Sequence, residues 1–151
     1  MNSKLLLCYL IALFSLSNCK PLQSEGEGIT GTITWLEGNQ MPVISDSGDS
    51  REKAKPIQRK VLVYPLLKFS DMHLENELFK APRISPLAEV ESDGKGNYSI
   101  PLAPGRYSVF IQEDGGLFAN IFDGEGNVMP VTVKEGQWTL VDIQVNYKAA
   151  F

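Results

Sequence analysis

Ser92-Asp93-Gly94-Lys95-Gly96-Asn97-Tyr98-Ser99-Ile100-Pro101-Leu102-Ala103-Pro104-Gly105-Arg106-Tyr107-Ser108-Val109 is the stretch of this 151-residue chain that decides its fold. Asp93 is placed to cap its own turn, and Gly96 to supply a backbone with φ > 0. Tyr98, Ile100 and Leu102 then fall on one face of an extended segment. Asp-Gly followed by such alternation predicts a hairpin. Pro104-Gly105 predicts a second reversal, a type II turn with Gly105 at its positive-φ position. Beyond it Tyr107, Val109 and Ile111 alternate with Arg106, Ser108, Phe110 and Gln112.

The same period of two extends outward in both directions. Ile29, Gly31, Ile33 and Trp35 alternate with Thr30, Thr32 and Thr34 as a first strand. Residues 37–58 hold Gly, Asn, Pro, Ser and mixed charge without a period and read as a long exposed loop. Residues 60–67 (KVLVYPLL) form a second strand, with Pro65 pointing to an edge or a bulge. In residues 68–81 (KFSDMHLENELFKA) the loose spacing of Met72, Leu74, Leu78 and Phe79 admits one short helix. Further strands are expected at 84–92, 117–122, 128–134 and 138–147. The last points Val141, Ile143, Val145 and Tyr147 inward. Seven to eight short strands with turns every 8 to 12 residues predict an all-β, antiparallel β-sandwich.

The N-terminus has a different logic. Lys4 precedes an apolar run from Leu5 to Leu16, and Leu16-Ser17-Asn18-Cys19 closes it. Twelve residues fall short of the roughly 20 that cross a bilayer as a helix, and the organisation is that of a secretory signal. The closing string resembles a bacterial lipoprotein lipobox, with Asn18 where Gly or Ala is usual. The resemblance implies that Cys19 becomes the lipidated first residue of the mature chain. The alternative is plain secretion with Cys19 a free thiol. The expected organisation is a signal peptide at 1–18, a flexible tether at 19–28 and one folded domain at 29–151. Glu25 with Glu27 resembles, in sparse and displaced form, the acidic cluster that bacterial lipoprotein export signals carry just after the cysteine; the resemblance implies an outer-membrane anchor, with its facing left open.

The string 92–109 also resembles the D-x-x-G-x-Y-x-I-x-L-x-P-G-x-Y-x-V core of carboxypeptidase regulatory-like domains. That resemblance implies a prealbumin-like, or transthyretin-like, sandwich. Gly28-Ile29-Thr30-Gly31, Gly38-Asn39-Gln40-Met41-Pro42, Gly115-Gly116-Leu117-Phe118-Ala119-Asn120 and Asp123-Gly124-Glu125-Gly126-Asn127 extend it. Together they are similar to a subgroup of such lipoproteins in Bacteroidetes-type bacteria, over residues 29–151. The fold does not supply a function.

Composition narrows the chemistry. Loss of Lys4 with the signal moves the formal charge from −4 to −5, and no basic stripe remains, which disfavours nucleic acid. Cys8 leaves with the signal and Cys19 is acylated, so no disulfide or thiol nucleophile is expected. His73 is the sole histidine, and Asn76 stands where an H-x-x-E zinc pair needs Glu. Asp46-Ser47-Gly48-Asp49 only echoes a nucleophile loop, and G-x-S-x-G is missing. The turns at 93–97 and 123–127 do not match a calcium loop. No catalytic residue, metal site or cofactor is therefore expected. The candidate ligand patch is Phe118, Asn120, Asp123 and Asn127, where Gly115 and Gly116 would let the loop approach a partner. The competing reading puts Phe118 and Phe122 in the core, together with Trp35 and Trp138. The expected function is a non-catalytic, lipid-anchored envelope protein acting as a binding or structural module, with the membrane and an envelope glycan or protein as partners. The alternative is a glycan- or peptide-recognising accessory lipoprotein of a nutrient-uptake system.

Overall fold

The computed structural model describes residues 26–41 and 53–151. The signal segment, Cys19, residues 46–50 and the first part of the tether lie outside them. The chain is all-β. Its strands are β1 (Gly28–Asn39), β2 (Lys55–Pro56), β3 (Lys60–Pro65), β4 (Leu74–Glu75), β5 (Leu78–Phe79) and β6 (Ala88–Glu91). They continue with β7 (Asn97–Pro101), β8 (Gly105–Glu113), β9 (Gly116–Phe118), β10 (Pro130–Val133), β11 (Trp138–Leu140) and β12 (Ile143–Ala150). Two sheets form a sandwich. In the first, β1 carries β7 and then β2 along one flank, and β11 and then β12 along the other. The second has the order β4-β5-β9-β8-β3-β6, with β10 also on β8. The pairings are antiparallel except those of β1 with β11 and β12, which are parallel and were not foreseen from the sequence.

The expected last strand is one strand with a gap. Thr30 pairs with Leu140 and Ile33 with Ile143, so the register is unchanged across Val141 and Asp142. Side chains close the gap. Asp142 Oδ1 accepts the Thr32 backbone N–H and hydroxyl, both at 2.8 Å. The Tyr98 hydroxyl donates to the Val141 carbonyl at 2.6 Å. Burial, and secondarily the nearby Asp142 carboxylate, push that hydroxyl far above the ordinary tyrosine range. Gly31 opposite Tyr98 has to be glycine, because a Cβ there would collide with the Val141 carbonyl.

The core lies between Ile29, Ile33, Ile100, Ile143 and Val145 of the first sheet and Val61, Val63, Val109 and Ile111 of the second. The strands β3 and β8 are buried on both faces, so Phe110 and Ser108, read as outward positions, are 0% exposed. Their outer face is covered by the chain between β3 and β6. There Tyr64, Phe110, Phe79 and Phe69 make successive edge-on contacts with centroids 5.8 to 6.0 Å apart. The covering segment is not the expected helix. It is a single 3-10 turn (Phe69–Asp71) followed by the hairpin β4–β5, whose turn residues Asn76 and Glu77 have φ of 51° and 66°. Two central residues with positive φ are the geometry that joins two strands tightly, and it outweighs a weak helical period. The buried Ser108 ties this cover down, donating to Val128 O (2.6 Å) and accepting from Leu67 N (3.0 Å).

Other boundaries shift. The turn at 93–97 forms, with Gly96 at φ 79°, but it leads from β6 in the second sheet to β7 in the first, so it is a corner and not a hairpin. Pro104-Gly105 is likewise a crossing between sheets. Gly105 takes no positive φ and opens β8 opposite Val133. Pro65 ends β3, which lies between β8 and β6 and not at an edge. The strand expected at 84–92 is confined to β6, that at 117–122 to β9, and that at 128–134 to β10. Of the expected loop at 37–58, residues 37–39 extend β1, and β2 pairs with it. The end of the expected tether is docked. Glu27 O accepts Leu102 N (3.1 Å), Glu27 Oε2 accepts Gly136 N (2.8 Å), and Gly28 N donates to Gln137 O (3.3 Å). A side chain at Gly26 would touch the Trp138 indole.

Candidate functional site

The chain enters the sandwich where Gly28 pairs with Trp138. Trp35 lies seven residues further along β1, about 23 Å at strand rise, so it marks the opposite end. That end carries a cluster of side chains joined by hydrogen bonds and ring contacts. Glu113 closes β8, and its side chain is 4% exposed. Its Oε1 accepts Arg59 Nε at 2.8 Å and its Oε2 accepts the Tyr147 hydroxyl at 3.1 Å. Burial first, and then the Glu113 carboxylate, raise the Tyr147 hydroxyl above the ordinary tyrosine range, so it stays a donor. Arg59 Nη1 donates back to Gln58 O at 3.0 Å. Trp35 meets Tyr147 edge-on at 5.5 Å, with Lys148 Nζ 5.6 Å from its ring centroid and the Arg59 guanidinium 6.0 Å. The cluster thus joins the two sheets, since Trp35 and Tyr147 come from the first and Glu113 from the second.

Beside it opens a polar cavity of about 450 Å³, lined by Gln58, Arg59, Lys60, Glu91, Gln112, Glu113 and Asp114. Guanidinium, amide, ammonium and carboxylate groups alternate around it, an arrangement suited to a polar ligand that both donates and accepts hydrogen bonds. Both oxygens of Glu113 are engaged, which makes it a holder of Arg59 and Tyr147 and not a free base. A second cavity, about 580 Å³, lies by the 3-10 turn, lined by Leu67, Met72, His73, Lys80, Arg83, Ile84 and their neighbours. His73 is exposed there.

The expected ligand patch does not assemble as one surface. Phe118 is 3% exposed and packs on Tyr147 with centroids 5.8 Å apart, supporting the site from beneath. Asn120 donates to Gln144 O (3.4 Å) and Asn146 Oδ1 (3.3 Å), clasping the segment after β9 to the free edge of β12. Asp123 and Asn127 bond to each other within their own turn at 2.7 Å, and Asn127 is 2% exposed. The glycines at 115 and 116 do allow a close approach, but to the chain itself: a Cβ at Gly116 would sit 2.6 Å from Phe79 O. Phe122, expected in the core, is 46% exposed, and Trp35 and Trp138 are half-buried. Among the described residues no three His, Cys, Asp or Glu side chains gather as a metal site, and no helix is long and apolar enough to cross a membrane. The grouping of Arg59, Glu113 and Tyr147 is not legible in the sequence, where Tyr147 reads only as an inward position, because 54 and 34 residues separate the bonded pairs and no local motif announces them.

No family model, no curated protein and no solved structure matches this chain.

Proposed function

We propose that this chain is a non-catalytic, lipid-anchored protein of the bacterial cell envelope, held through Cys19 and serving as a binding or structural module. The observation that carries the reading is the opposition of the two ends. The chain enters beside Trp138, and the polar cavity and Trp35 lie at the other end, where a tethered domain presents them away from the membrane. The string 92–109 and the two-sheet architecture support placing the domain among the carboxypeptidase regulatory-like, prealbumin-like sandwiches. Glu25 and Glu27 support an outer-membrane anchor. A non-catalytic role is supported by the commitments of the ordered carboxylates: Glu113 to Arg59 and Tyr147, Asp142 to Thr32, and Asp93 and Asp123 to their own turns.

The second reading, a glycan- or peptide-recognising accessory lipoprotein of a nutrient-uptake system, is favoured by the mixed donors and acceptors of the cavity beside a half-buried indole. A glycan array and an envelope pull-down with the mature chain test both readings. Capture that falls when the exposed lining residues Gln112 and Asp114 are changed to Ala supports the distal cavity as the site. Capture unaffected by both changes contradicts it, and turnover of the captured glycan or peptide contradicts the non-catalytic reading.

A further inference from the structure

Leu140 is the most exposed large apolar residue among the described ones, at 70%, and it lies beside the point of chain entry. Trp138 and Leu140 are two residues apart on β11 and share one face of the strand. A Cβ placed on Gly26, the first described residue, would lie 3.5 Å from the Trp138 indole nitrogen, so the chain enters beside that ring. Leu140 also borders an open groove of about 420 Å³ between the edges of the two sheets, lined by Ile121, Pro130 and Val131 together with the polar Thr132, Thr139 and Asp142. Ile121 is 52% exposed. Leu140 and Ile121, each more than half exposed, thus stand together at this edge of the domain.

The chain ahead of it says what that edge faces. Six residues lie between Cys19 and Gly26, and the seven steps from one to the other can span no more than about 25 Å when fully extended. An acyl chain on Cys19 therefore keeps this edge within one tether length of a bilayer surface at all times. Trp beside Leu and Ile is the composition that settles at the boundary between headgroups and acyl chains. The flanking charges are Glu27, Glu135 and Asp142 against Lys134, which disfavours an anionic surface.

We infer that the edge formed by Trp138, Leu140 and Ile121 rests on the lipid bilayer, fixing the orientation of the tethered domain with Trp35 and the polar cavity facing outward. This rests on the lipid-anchor reading for its setting in the cell. Because the tether holds the edge at the surface, a patch too small to bind membranes by itself suffices.

The molecule carries its own reporters, since its two tryptophans mark opposite ends. The mature chain 19–151 has Cys19 as its sole cysteine and can be coupled there to a maleimide phospholipid. Trp35→Phe leaves Trp138 as the only fluorophore, and Trp138→Phe leaves Trp35. On phosphatidylcholine vesicles with brominated acyl chains, Trp138 emission should fall by roughly half or more while Trp35 emission is unchanged. Leu140→Asp should abolish the quenching with the protein still on the vesicles, and vesicles containing phosphatidylglycerol should weaken it. Unquenched Trp138 on vesicle-bound protein, equal quenching of both tryptophans, or quenching that depends on protein density as a contact between copies would, overturns the inference. The anchor is supplied chemically, so failure here is separate from failure of Cys19 to be acylated in the cell.

Discussion

Residues 93–97 and 123–127 spell the same turn, Asp-Gly-x-Gly-Asn, and fold to the same local geometry. In each, the aspartate Oδ1 accepts backbone N–H groups two and four residues on, at 2.8 to 3.0 Å, and the asparagine Nδ2 returns to Oδ2 at 3.0 or 2.7 Å. Gly96 and Gly126 both have φ 79°. The surroundings differ. Gly96 is buried against β1: its carbonyl accepts Ile33 N at 2.9 Å, and a Cβ would collide with Ile33 O. Gly126 faces open space. In the second turn the Gly126 carbonyl likewise accepts a main-chain N–H, that of Phe69 at 2.9 Å, but side chains add to the hold. Asn127 is 2% exposed, and Arg106 reaches Asp123 at 3.1 Å and Glu125 at 3.4 Å. Local sequence thus sets the shape of a turn, while its neighbours decide which atoms of it the fold depends on.

The comparison breaks most easily at the glycines. Gly96→Ala should cost about 3 kcal/mol, combining left-handed strain with displacement of β1, whereas Gly126→Ala should cost only about 1 kcal/mol of strain. Chemical denaturation of the two variants checks this, and equal midpoints would show that the corner at Gly96 is not packed against β1. The aspartates should rank the other way. Asp123→Ala removes a partner from a buried amide and from Arg106, so its midpoint should drop further than that of Asp93→Ala, whose Asn97 is exposed. The reverse order would contradict the assignment of the second turn to side-chain contacts.

The smallest effect is one the two turns share. The asparagine amides first, and the backbone N–H groups next, hold Asp93 and Asp123 below the ordinary aspartate range. A folded pKa below the unfolded value of about 3.9 gives stabilisation that is complete above that pH and is lost as pH falls through the folded value. The double variant Asp93→Asn, Asp123→Asn should therefore lose less stability than the parent between about pH 5 and pH 2. Denaturation midpoints at stepped pH measure this, and parallel curves would contradict it.

The two turns also mark what could be read in advance. Asp93 and Gly96 were legible because a turn is decided within five residues, and the inward faces of β1, β7 and β12 because alternation is local. The partners of those strands were not. Nothing near Asp93 tells whether β6 and β7 share a sheet, and nothing near Ile33 tells that Ile143 runs parallel to it. The helix expected around Met72 and Leu78 failed because Asn76 and Glu77 accept a left-handed turn, and their loose apolar spacing serves a hairpin that packs Phe79 inward. At the distal end the Gly115-Gly116-Leu117-Phe118 string lies next to the Glu113 cluster. Phe118 supports Tyr147, whose hydroxyl holds Glu113, and that triad forms only through contacts distant in sequence.

The anchor at Cys19 is the claim that gives the opposition of the two ends its functional meaning. It is tested most directly in cells fed labelled palmitate, comparing the parent chain with Cys19→Ser. The parent should take up label and fractionate with membranes, and its mature form should begin at residue 19. The variant should carry no label and appear in the soluble fraction. Label or membrane retention persisting in Cys19→Ser would contradict the account.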